Sequence, residues 1–144
     1  MIRLADIAHG RSGDKGNHAN IGIIAFTMQG HAYLDGELSA EKVKAYFKTL
    51  TPDKVERFGL PRLFAFNFVL WNALGGGASD SLRTDTQGKA LATALLEMEL
   101  PDPENLAAML PPPPRFPTQP PGFPSPSAAS DGSPPPGPNP EAET

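Results

Sequence analysis

Two glycine-rich segments hold most of the side chains in this sequence that could do chemistry. The first is Gly10-Arg11-Ser12-Gly13-Asp14-Lys15-Gly16-Asn17; the second is Gly75-Gly76-Gly77, followed by Ser79, Ser81, Arg83 and Lys89. A glycine-rich turn can aim several backbone N–H groups at one point, and a guanidinium or ammonium beside it completes a seat for a carboxylate or phosphate. In the first segment Arg11 and Lys15 would supply charge, Ser12 and Asn17 hydrogen bonds, and Gly13 close approach of the backbone. In the second, Arg83 and Lys89 sit where a helix is expected to start, and cations there oppose the helix dipole unless an anion lies between them. Gly75, Gly76, Gly77, Ser81, Arg83 and Lys89 therefore read as parts of an anion cradle, with local neutralisation by Asp80 and Asp85 as the alternative. Asp14 is the candidate acid or base, because neighbouring Arg11 and Lys15 would keep it ionised. Pairing of Asp14 with either cation, to lock a structural turn, is the competing reading.

Other chemistries find little support. Neither GxxxxGK[ST] nor GxGxxG occurs, so no nucleotide cofactor is implied. His9, His18 and His31 are the only histidines, their spacing matches no metal motif, and there is no cysteine. No metal site is expected, and no Ser-His-Asp set can be read from spacing. Asn67 and Asn72, within or beside an apolar run, need hydrogen-bond partners wherever they are buried.

The chain has 144 residues and 18 prolines, of which only Pro52 and Pro61 precede residue 101. That shift divides it into a candidate domain, 1–100, and a Pro-rich tail, 101–144, whose composition predicts disorder with polyproline II character. The domain carries 11 basic and 11 acidic residues, so the net charge of −4 belongs to the tail. No basic stripe marks a nucleic-acid partner. No apolar run approaches the ~20 residues of a membrane span, and the start of the chain lacks a signal-peptide pattern. A cytoplasmic protein with no membrane association is expected.

These segments must be held by a small core. Ile2, Leu4 and Ile7 suggest a short strand ending at the first glycine segment, expected to be a loop. Residues 20–28 read as a strand buried on both faces, and residues 31–34, between Gly30 and Gly36, as a short extended edge. Ser39 is an expected N-cap for a helix carrying Val43, Tyr46, Phe47 and Leu50, stopped by Pro52. Residues 54–58 and the strongly apolar run 63–71 read as strands, the latter central. Thr84 and Gln87 match a capping box before a second helix with Leu91, Ala94, Leu95 and Met98 on its apolar stripe. About four strands and two helices in this order predict an α+β, ferredoxin-like two-layer sandwich.

The same strings resemble a known family. Arg11-Ser12-Gly13-Asp14-Lys15-Gly16-Asn17 with Asn20-Ile21-Gly22-Ile23-Ile24-Ala25 is similar to the opening of the AtuA-like ferredoxin-fold domain, found at the C-terminus of acyclic terpene utilisation proteins and also as a separate small chain. Leu60-Pro61, the Ala65–Leu70 run, Ala73-Leu74-Gly75-Gly76-Gly77, Ser81-Leu82-Arg83, Gln87-Gly88-Lys89 and Leu95-Leu96-Glu97-Met98-Glu99 follow in the order of its second half. The resemblance covers residues 1–100 and implies a ferredoxin-like fold, a role beside a larger AtuA-type partner chain, and catabolism of branched acids, typically as acyl-CoA thioesters. It transfers no catalytic residue.

Three expectations follow. A small accessory subunit would dock on a larger catalytic chain and contribute both glycine-rich loops to a shared carboxylate or acyl-CoA site. A self-sufficient hydro-lyase-type enzyme would use Asp14 or a histidine as base and Arg83 or Lys89 to hold a carboxylate, the two loops meeting within one chain or across a homodimer. A structural or assembly module would use the segments only as rigid turns. The first accounts best for polar loops on a chain too short to enclose a ligand.

Overall fold

The computed structural model describes residues 1–75 and 90–113. Its main sheet has four antiparallel strands, β2 (Ala8–Lys15), β3 (His18–Ala25), β4 (Val55–Leu60) and β5 (Ala65–Leu70), in the order β2-β3-β5-β4. A two-stranded ribbon pairs β1 (Ile2–Arg3) with β6 (Glu99–Leu100). Helices α1 (Leu4–Ile7), α2 (Met28–Glu37), α3 (Ala40–Tyr46) and α4 (Leu91–Leu96) complete the α+β architecture. The central place expected for the 63–71 run is that of β5, between β3 and β4.

Strand register shows which face is covered. Opposite residues of an antiparallel pair share a face, so Ile21 with Phe68, Ile23 with Phe66 and Ala19 with Leu70 point the same way. All six are buried, and they join Leu34, Leu38, Val43, Phe47, Leu91, Ala92 and Leu95 in one core. Helices α2, α3 and α4 therefore all supply apolar side chains to the same side of the sheet. Along β3 the burial alternates strictly, with Ala19, Ile21, Ile23 and Ala25 buried and the residues between them only half-buried. This corrects the expectation of burial on both faces: the helices among the described residues cover one side, and none of them reaches the other.

Several local readings change with tertiary context. The opening segment is not one strand. The Arg3 N–H donates to Asp6 Oδ2 at 2.8 Å, folding Leu4–Ile7 into a single helical turn after two strand residues. Residues 31–34 are helical, not extended, because Gly30 and Gly36 lie inside α2 rather than bounding a strand. Thr27 caps that helix, its Oγ1 accepting from the Gly30 N–H at 3.0 Å. A Cβ on Gly30 would lie 3.5 Å from Ala25 Cβ and 3.6 Å from the Ile7 carbonyl oxygen, ordinary contact distances, so the helix start packs directly on the strand end.

The predicted Ser39 cap is present, its Oγ accepting from Lys42 N–H at 3.2 Å. In α4 the buried stripe is Leu91, Ala92 and Leu95, with Ala94 exposed. The proposed capping box at Thr84 and Gln87 lies outside the described residues. Beyond Leu100, where composition changes, packing continues: Met109 is buried in the core and Leu106 lies against it. Compact structure thus runs to Pro113, while residues 114–144, most of the proline-rich tail, lie outside the described residues.

Candidate functional site

The first glycine-rich segment is a strand and a turn rather than a loop. Residues 10–15 belong to β2, paired along their length with β3, and Gly16-Asn17 form the two-residue hairpin turn. Gly16 has φ of 66°, the left-handed conformation that such turns need and glycine adopts without strain. A cluster of converging N–H groups is therefore not what residues 10–15 make: a strand points its amides alternately to its two edges. What the segment offers is side chains, divided between two faces.

Ser12 and Asp14 point to the helix side, opposite Ile21 and Ala19. Ser12 has structural work there, its Oγ accepting from the Ala92 N–H at 2.9 Å and satisfying an amide in the first turn of α4. Arg11, Gly13 and Lys15 point to the bare side, together with His9. Asp14 therefore does not share a face with the two cations expected to flank it, and no ion pair joins it to them. Alternation along a strand separates neighbours in sequence.

At the hairpin end, Asn17 meets the start of the second glycine segment. Its Nδ2 donates to Asn72 Oδ1 at 3.2 Å, and the Leu74 N–H donates to the Asn17 carbonyl at 3.1 Å. Asn72 is the hub of this corner: its N–H donates to His18 Nδ1 at 3.0 Å and its side chain donates to Asp53. It adopts φ of 55°, a left-handed conformation that asparagine tolerates better than most residues. His18 packs on Trp71 at 4.5 Å, and Trp71 Nε1 donates to Glu56 at 2.6 Å. Hydrogen bonds from Lys54 and then Trp71 hold the Glu56 carboxyl below its ordinary range. The corner thus fixes Leu74, the residue before Gly75, against the hairpin. Gly76, Gly77, Ser81, Arg83 and Lys89 lie outside the described residues.

Asn72 makes this corner testable. Asn72→Ala is expected to cost roughly 1–3 kcal/mol, from backbone strain and lost hydrogen bonds, and Asn72→Gly less, because glycine keeps the backbone conformation. Urea unfolding of both variants measures the difference. Equal loss in the two would show that the left-handed backbone is not what asparagine is needed for.

The bare face of the sheet gathers residues far apart in sequence. One row across it reads Arg11, Gly22, Asn67 and Phe58; the next on one side reads His9, Ile24, Ala65 and Leu60, and on the other Gly13, Asn20, Val69 and Glu56. An antiparallel sheet with one face in water usually shows polar residues on that face. Here Phe58, Leu60 and the adjoining Leu63 are 50%, 44% and 65% exposed. Asn20, Gly22 and Asn67 were not singled out as site residues by spacing, since only the strand register brings them beside Arg11. Among the described residues no group of three or more His, Asp or Glu is placed to hold a metal ion. No helix among them is long and apolar enough to cross a membrane.

A four-stranded antiparallel sheet, helices on one side and a mixed polar and apolar face on the other, defines a small α+β sandwich in which the described residues leave one sheet face uncovered. The family model of the AtuA ferredoxin-like domain matches residues 2–101, and the chain belongs to that family. No curated protein and no solved structure matches it.

Proposed function

We propose that this domain is an accessory subunit that docks on a larger catalytic chain of the terpene-utilisation type. It brings the bare sheet face, with Arg11, to an anionic substrate of branched-acid catabolism, a carboxylate or acyl-CoA, held between the two chains. The observation that carries this reading is the exposure of Phe58, Leu60 and Leu63 beside polar Arg11, Asn20 and Asn67 on one uncovered face. Apolar side chains in that concentration favour burial against a partner, and the polar groups among them suit a ligand enclosed at the same contact. Family membership supports the choice of partner. A self-sufficient enzyme is the weaker reading, because the hollow that Asp14 lines is only about 260 Å³, below the usual range of small-molecule sites.

Co-expression of the tagged full-length chain with its native proteome, followed by affinity purification and mass spectrometry, tests this reading. A stoichiometric larger chain of the terpene-utilisation type is expected, and Leu63→Asp should abolish its capture without lowering the melting temperature. Recovery of the protein alone, or as a homo-oligomer, overturns the accessory role.

A further inference from the structure

The bare face has a depression where a side chain is missing. Gly22 faces Arg11 on one side and Asn67 on the other, and a Cβ built there would touch only the Arg11 stem, with Cγ at 3.7 Å and the carbonyl oxygen at 3.8 Å. The Arg11 stem thus passes beside the glycine, and the residue itself is exposed. The resulting hollow is about 450 Å³, within the range of small-molecule sites.

The lining is divided by chemistry. At one end are Arg11, Asn20 and Asn67; at the other are Ile24, Leu60, Leu63 and Ala65. Among the described residues, the side chains of Arg11, Asn20 and Asn67 make no hydrogen bond or ion pair with protein groups. Glu56, the acid in the neighbouring row, is engaged by Lys54 and Trp71. The hollow therefore has one unneutralised cation, two amides that can donate beside it, and a hydrocarbon wall.

We infer that this hollow binds a small free carboxylic acid with a hydrocarbon body, its carboxylate on Arg11 and its carbon chain on Ile24, Ala65, Leu60 and Leu63. The inference rests on the reading that this face meets the anionic substrate, and it narrows the chemistry. A guanidinium binds a carboxylate through two charge-assisted hydrogen bonds, whereas a thioester carbonyl carries no charge to pair with it. One guanidinium also falls short of the several charges on a coenzyme A phosphate handle. The acid is recognised as the acid.

Hexanoate is the probe, with hexanol as the uncharged control. Titration into the isotope-labelled full-length chain should give saturable NMR shifts centred on Gly22 and on the Asn20 and Asn67 side-chain amides. Hexanol should bind at least about tenfold more weakly, as expected for loss of a charge-assisted pair. Arg11→Gln should produce the same loss, and Gly22→Val should remove binding by filling the hollow. The native dispersion of the spectrum shows that each variant is folded. Absence of saturable shifts at about 50 mM hexanoate, where even millimolar affinity would be visible, overturns the inference. So does equal binding of hexanoate by wild type and Arg11→Gln, or equal binding of hexanol. Should hexanoate fail while the larger chain is still captured, the acid site falls and the docking reading stands. Hexanoate binding without capture of a larger chain gives the converse.

Discussion

Phe68→Ala is expected to destabilise the domain by about 3–5 kcal/mol, and Phe58→Ala to change its stability by no more than about 0.5 kcal/mol. Both phenylalanines belong to the main sheet, on neighbouring strands. Phe68 is fully buried, between Ile21 and Arg57 in the strand pairing, while Phe58 is half-exposed on the opposite face. Truncating the first leaves a cavity under three helices; truncating the second removes a ring that the isolated domain does not enclose. The loss at Phe68 is a large share of a small domain's total stability, ordinarily 5–15 kcal/mol. Urea unfolding followed through Trp71, the single tryptophan, measures both. A cost at Phe58 comparable with that at Phe68 would mean that the bare face is already covered within this chain, and the docking proposal would lose its basis.

The second large effect separates the glycines of the first motif. A Cβ on Gly10 would lie 2.9 Å from Ile23 Cδ1 and 3.0 Å from the Gly22 carbonyl oxygen, with Ala92 Cβ at 3.5 Å. The carbonyl belongs to the ladder and cannot yield without moving the strand, so Gly10→Val should cost roughly 2–3 kcal/mol, the upper part of the usual range for overpacking. A Cβ on Gly13 meets nothing within 4 Å, and Gly13→Val should be near neutral. Thermal melts of the pair decide the matter. If Gly13→Val were the damaging change and Gly10→Val harmless, α4 would not pack over β2 at Gly10 as described.

These glycines show how far the sequence can be read. Gly10, Gly13 and Gly16 look alike in a string, yet one makes room beneath a helix, one faces open space and one turns a hairpin. Only Gly16 did what a glycine-rich turn suggests. The central strand, the strand before it and the Ser39 cap were legible because an apolar run, its bounding Gly and Pro and a capping side chain are local signals. Helix α2 was not, because Gly30 and Gly36 look like boundaries until Gly30 is seen packed on Ala25. Arg11 could be named as a candidate from its charge and its glycine-rich neighbours. Its companions Asn20, Gly22 and Asn67 could not, since strand register is a long-range property, and the same alternation removes Asp14 to the other face.

The β1–β6 ribbon has a consequence for architecture. Ile2 pairs with Leu100, so residues at the two limits of the matched domain lie side by side, and Leu106 and Met109 then fold back on the core. A unit with adjoining entry and exit can be spliced into a host, appended to either end of it, or cut free, without prying the host apart. Joined ends of this kind also tie the first turn of the fold to its last, so fraying at either terminus must break the same ribbon.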